Sequence, residues 1–171
     1  MTEIENPMTL FPDPLIDVQR ASVAGNLYTA LRVYANLSGL GTAFPPGLFY
    51  ALWKANPGVN KARVPDASYV RKEHLPNVYD ALMPFHGAPD FAVCIVSQVD
   101  PTLFTLEHVR DYLAAGTEQV WMIFTAPLRE IHVYLRDKPD VIRVYREDDI
   151  VDGAPTLPGF KMSAAQVFQT P

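Results

Sequence analysis

The chain predicts a single α/β (α+β) domain. One helical pattern is followed by short apolar runs cut by turns, then a second helical pattern, then more strand-like runs. With 171 residues it has the length of one ordinary domain, and 49% apolar against 19% charged residues is enough for a core. Sixteen prolines, about 9% of the chain against a usual ~5%, sit between the apolar runs and punctuate many short elements. This composition excludes a disordered tail, a collagen-like fibre and a low-complexity segment.

Residues 1–16, with Pro7, Pro12 and Pro14, read as an N-terminal arm, and the domain is expected over 17–171. Asp17 is placed as an N-cap, and Val23, Leu27, Leu31 and Tyr34 follow at helical spacing until Gly39 and Gly41. Leu48 to Trp53, Arg63 to Val70 and Phe91 to Ser97 read as strands, with a turn at Asn56, Pro57, Gly58 and Asn60 between the first two. The third run is apolar at every alternation, which predicts a strand covered on both faces. Asp100-Pro101-Thr102 opens a helix over 103–115, stopped by Gly116, with Leu106, Val109, Tyr112 and Leu113 as its apolar stripe. Three further strands are expected at Val120–Thr125, Glu130–Leu135 and Val141–Arg146, and the tail ends in a helical turn offering Met162, Val167 and Phe168 for docking.

Fourteen Lys and Arg against nineteen Asp and Glu leave a net charge of −5. That balance gives no electrostatic argument for binding DNA through its phosphates. The lone Cys94 excludes an intramolecular disulfide and a multi-cysteine zinc site. The first residues lack the basic-then-apolar order of a signal peptide, and the charge-free stretch from Val33 to Trp53 carries Gly39, Gly41, Pro45, Pro46 and Gly47. Adjacent prolines remove backbone donors in a way hydrocarbon does not tolerate, so a cytoplasmic protein with no membrane span is expected.

The order of short patterns carries more than any one of them. Gly25-Asn26-Leu27-Tyr28 and Leu40-Gly41-Thr42-Ala43-Phe44 come first, followed by Arg63-Val64-Pro65-Asp66-Ala67-Ser68-Tyr69-Val70. Ala88-Pro89-Asp90-Phe91-Ala92-Val93 before Ser97 comes next, then Tyr112-Leu113-Ala114-Ala115-Gly116, Glu118-Gln119-Val120-Trp121 and Leu157-Pro158-Gly159-Phe160. This series resembles the Uma-type restriction-endonuclease family, a bacterial branch of the PD-(D/E)XK nuclease superfamily, from about Asp17 to Phe168. The resemblance implies a restriction-endonuclease-like domain over 17–171, with a mixed central β-sheet flanked by helices. It also implies acidic side chains that hold Mg²⁺ and a lysine that positions the attacking water. A hard cation on oxygen ligands offsets phosphoryl charge and acidifies water, which suits phosphodiester hydrolysis.

Carried over by position, the family's two Pro-Asp aspartates fall on Asp66 and Asp90, which the resemblance makes catalytic residues that hold the metal. The family glutamate four residues after the second aspartate falls on Cys94, the proline after the serine on Gln98, and the helix lysine on His108. Two of four expected active-site groups are thus altered. Read without the resemblance, Asp66 and Asp90 are turn aspartates, Cys94 is a buried small hydrophobe, and His108 is a residue flanking the apolar stripe. A nucleophilic Cys94–His108 pair has no third orienting group. His74, His86 and His132 show no ligand spacing, and Arg71-Lys72 and Arg110 have Glu73 and Asp111 beside them, which reads as a solvated mixed-charge surface.

The expected protein is therefore nuclease-like with a degenerate catalytic centre at Asp66, Asp90, Cys94 and His108. The alternatives are an active Mg²⁺-dependent DNA endonuclease, or a protein-binding or assembly module using the old cleft or a sheet edge. The strands around 63–70 and 91–97 are expected to be neighbours, bringing the four residues to one cleft. DNA is a possible partner by resemblance alone, and a homodimer is expected from that resemblance and from exposed aromatics including Trp53 and Trp121.

Overall fold

The computed structural model describes residues 17–78, 80, 82–96 and 102–171. In chain order its elements are helix α1 (Val18–Ser38) and strands β1 (Gly41–Phe44), β2 (Tyr50–Ala51), β3 (Ala62–Arg63), β4 (Ala67–Arg71), β5 (Phe85–His86) and β6 (Phe91–Val96). Helix α2 (Thr102–Ala115) follows, then β7 (Gln119–Phe124), β8 (Glu130–Leu135), β9 (Ile142–Tyr145), β10 (Ile150–Asp152), β11 (Lys161–Ser163) and the short helix α3 (Ala164–Val167).

Asp17 caps α1 as expected, its carboxylate accepting the Arg20 amide at 2.8 Å, a contact typically contributing ~1 kcal/mol. The helix buries Val23, Ala24, Leu27, Leu31 and Ala35 on one face and stops where Gly39 turns left-handed at φ 66°. Leu27 and Leu31 are fully buried, and each such leucine contributes roughly 1.5–3 kcal/mol. Gly41 then opens β1 against β4, where a β-carbon would collide with the Val70 carbonyl and the Tyr69 ring.

The central sheet is mixed and six-stranded, in the order β1-β4-β6-β7-β8-β9. Its parallel pair is β6–β7, joined across one face by α2, and the other neighbours run antiparallel. Phe91, Val93 and Ile95 face the layer built on α1, whereas Ala92, Cys94 and Val96 face the layer under α2. That two-sided burial is why β6 has no polar alternation. A small β3-β2-β5 sheet lies on the α2 side of the core, and β10 pairs with β11.

The expected adjacency of the strands around 63–70 and 91–97 holds, since β4 pairs with β6. The single strand expected over Arg63–Val70 is two, because Pro65 lacks an amide donor and the ladder resumes only at Ala67. Of Leu48–Trp53 only Tyr50–Ala51 is extended, and Leu52–Lys54 forms a 3₁₀ turn. Trp121 is wholly buried, so it contributes nothing to an exposed aromatic surface, while Trp53 is 39% exposed. Ser97, Gln98, Asp100 and Pro101 lie outside the described residues. No described helix is long and apolar enough to cross a membrane.

Candidate functional site

The break at Pro65 places Asp66 just past the last β4–β6 pair, Ala67 with Val93, and therefore beside Cys94. The Asp66 amide donates to the Val93 carbonyl at 2.8 Å, and its carboxylate accepts the Ile95 amide at 2.8 Å, standing in for a backbone acceptor where strand pairing stops. Arg20, one turn into α1, reaches the same carboxylate. Its Nε lies 2.9 Å from Oδ1 and its Nη2 3.4 Å from Oδ2. Both side chains are mostly buried, 16% exposed for Arg20 and 12% for Asp66. A forked guanidinium on a desolvated carboxylate is a charge-assisted contact of the strong kind.

Cys94 is buried on the α2 side of the sheet. Burial pushes its thiol well above the ordinary range, the Asp66 charge adds to this, and Arg20 and Arg63 oppose it less. The sulfur therefore stays protonated at neutral pH. Tyr112 is buried in the same layer, its hydroxyl held far above the usual range by burial and then by Cys94, Tyr50 and Asp66. His108, half-buried, stands one helical turn before Tyr112 on α2. Around this end, Arg63 donates through Nε and Nη2 to Asp111 at 2.9 and 2.6 Å, and Lys61 pairs with Glu107. Glu107 is held below the carboxylate range first by that hydrogen bond and the Lys61 charge, with His108 a smaller cause.

Asp90 stands elsewhere. It precedes β6 by one residue and lies four residues from Cys94, ~13 Å of extended strand at ~3.3 Å per residue. Its buried carboxylate accepts the Arg71 amide at 2.7 Å and the His74 Nδ1–H at 2.7 Å. Its amide donates to Tyr69, and its carbonyl accepts the Glu118 and Gln119 amides, which knots β4, β6 and β7 together at this end. Arg71 makes a two-pronged pair with Glu118 at 2.7 and 2.6 Å. The expectation that four residues would gather in one cleft is corrected here. Asp66 and Cys94 come together, whereas Asp90 is set at the opposite end of the β4–β6 ladder by register.

Mg²⁺ demands near-octahedral oxygen ligation. Among the described residues, the donors at Asp66 are one carboxylate already bonded to a guanidinium and a protonated thiol, which does not fit that ion. Among the described residues no group of three or more His, Cys, Asp or Glu side chains is arranged to hold a metal.

Sequence reasoning missed Arg20 and His74. Arg20 is 46 residues from Asp66, and nothing local in the helix pattern marks it. His74 has its signal only in three dimensions, through Asp90.

Comparison with known proteins agrees with this architecture. The family model Uma2, described as "Putative restriction endonuclease", matches residues 12–165. A crystal structure from Anabaena variabilis, described as a putative nuclease belonging to DUF820, superposes with a TM-score of 0.73 at 16% identity, covering 92% of this chain and 84% of that one. At that identity the likeness is one of fold. Among curated proteins none matches the chain.

Proposed function

The chain belongs to the Uma2 restriction-endonuclease family, and from that premise we propose that it keeps the nuclease fold without metal-dependent cleavage. The observation that carries this reading is the Arg20 guanidinium on Asp66, beside a thiol where the family has a glutamate. Restriction-endonuclease-like enzymes draw on Mg²⁺ for charge neutralisation and for an acidified water. Here a side-chain cation supplies the neutralisation and has no labile water to give. The family lysine falls on His108, which carries an imidazole in place of the ammonium that lysine brings to a developing phosphorane charge. A net charge of −5 adds no general attraction for duplex DNA, and a second copy of the chain is the partner this reading carries forward.

The test is plasmid and single-stranded DNA cleavage with Mg²⁺ and with Mn²⁺, comparing wild type, Asp66→Ala and Cys94→Glu/His108→Lys. Wild type is expected to stay at the level of Asp66→Ala. Wild-type cleavage that Asp66→Ala abolishes overturns the proposal in favour of a live endonuclease.

A further inference from the structure

At the other end of the ladder, a cavity of about 310 Å³ opens between the small sheet and the segment that follows β4, lined by Phe44, Leu48, Met83 and Phe85 with His74 at its polar side. That volume is at the lower end of ligand cavities, ~300–1,000 Å³, and the balance of apolar wall with a few convergent polar groups is typical of them. The aromatic wall is held in place from behind. Phe44 meets Phe85 edge-on at 6.3 Å, and Phe85 leans on the buried Tyr50 at 5.1 Å.

His74 is similarly fixed. Asp90 is buried, and its carboxylate is anchored by the Arg71 amide at 2.7 Å while it accepts from His74 Nδ1 at 2.7 Å. An ionised carboxylate can only accept, so Nδ1 carries a proton, and in the neutral form of the ring Nε2 is the acceptor nitrogen. A buried carboxylate that sets the tautomer of a half-exposed histidine at the edge of an apolar cavity exceeds what loop anchoring requires. We propose that this cavity binds a small aromatic molecule bearing one hydroxyl group, its ring against Phe44 and Phe85 and its O–H donated to His74 Nε2. An anionic ligand is disfavoured because Asp80 also lines the cavity and the chain is net negative. A nucleotide is disfavoured because the described residues that line the cavity include no Lys or Arg, and the Arg71 guanidinium is committed to Glu118. The site is independent of the Asp66 end and of whether that end cleaves DNA.

The experiment uses the full chain with 4-ethylphenol as the probe and ethylbenzene as its counterpart without a hydroxyl, titrated by NMR on ¹⁵N-labelled histidine rings. The phenol is expected to bind saturably, shift the His74 Nε2 resonance, and bind at least tenfold tighter than ethylbenzene. His74→Phe should erase that tenfold preference while leaving ethylbenzene binding intact. Leu48→Trp, which fills the cavity from its apolar wall, should abolish both. Asp90→Asn presents an amide that can donate to Nδ1, which moves the ring proton to Nε2; acetophenone, a pure acceptor, should then displace the phenol as the preferred probe. No saturable binding, or a phenol preference that survives His74→Phe, overturns the proposal.

Discussion

Removing the Arg20 guanidinium is the perturbation that most directly examines the Asp66 end. At the 2.9 Å separation of Arg20 Nε and Asp66 Oδ1, two unit charges attract by about 6 kcal/mol in an effective dielectric of ~20. Most of that is offset by the desolvation of two side chains that retain only 16% and 12% of their exposure. Exposed pairs contribute ~0.2–1 kcal/mol, and breaking a fully buried one costs ~3–5, so this intermediate pair places Arg20→Ala at about 2–3 kcal/mol of lost stability. For a domain of this size that lowers the melting temperature by roughly 4–12 °C. Urea unfolding followed by circular dichroism measures it, with and without about 10 mM MgCl₂. Wild type should show no Mg²⁺ dependence, because the guanidinium already occupies the carboxylate. A loss below ~0.5 kcal/mol in Arg20→Ala, or a wild-type midpoint that rises with Mg²⁺, refutes the reasoning.

Three further outcomes follow from the same structure. Tyr69 is buried, and burial, reinforced by Tyr34, pushes its phenol up to about 12; its protonated form is favoured by folding, so stability is intact below pH ~10 and about 2–3 kcal/mol is lost as pH rises from ~10 to ~12. Tyr69→Phe should remove that alkaline step in a pH series of unfolding midpoints. Glu118 is held below the carboxylate range chiefly by its hydrogen bond from Arg71, so its contribution is complete above pH ~4.3 and is lost as pH falls through the lower folded value. Glu118→Gln should flatten that acid limb by ~1 kcal/mol. Finally, β9 ends the sheet with Ile142 and Val144 at 48% and 39% exposure, an edge suited to pairing with a second copy. Light scattering is expected to report a dimer that Val144→Lys dissociates, and a concentration-independent monomer in the wild type would dispose of it.

What could be read from the residues depended on how local the cause was. The N-cap at Asp17, the stop at Gly39, the both-faces-covered β6 and helix α2 are set by residues within a few positions of each other, and all were legible. The short strands β1, β5, β10 and β11 were not, because runs of two to four residues have no measurable period and are extended only through their partners. The adjacency of Asp66 and Cys94 followed from placing the two Pro-Asp runs on neighbouring strands. The position of Asp90 did not, because antiparallel register decides it: each step that brings Asp66 toward Cys94 carries Asp90 toward the far end. Arg20 was invisible for a related reason, since its partner is supplied by a strand far along the chain.

The charge arithmetic at the Asp66 end explains why the altered residues hang together. A divalent cation between two carboxylates is close to electroneutral, and so is one guanidinium on one carboxylate. On the proposed reading, a thiol at position 94 in place of a carboxylate leaves one negative charge fewer, and Arg20 balances Asp66. Restoring only one half of the older arrangement should therefore fail. Cys94→Glu alone buries a second carboxylate in the apolar layer under α2, where Arg20 is engaged with Asp66 and Arg63 with Asp111, a burial costing several kcal/mol. The cost grows as pH rises through the elevated pKa of such a buried acid, because the unfolded chain ionises first. Arg20→Ala/Cys94→Glu presents two carboxylates without the Arg20 guanidinium, while Arg63 stays engaged with Asp111, and this double variant should be stabilised by Mg²⁺ where wild type is not. Differential scanning calorimetry across a Mg²⁺ series reads the difference. If the double variant melts at the same temperature with and without the ion, the guanidinium does not occupy the cation's place, and the proposal of a nuclease fold without metal-dependent cleavage loses its support.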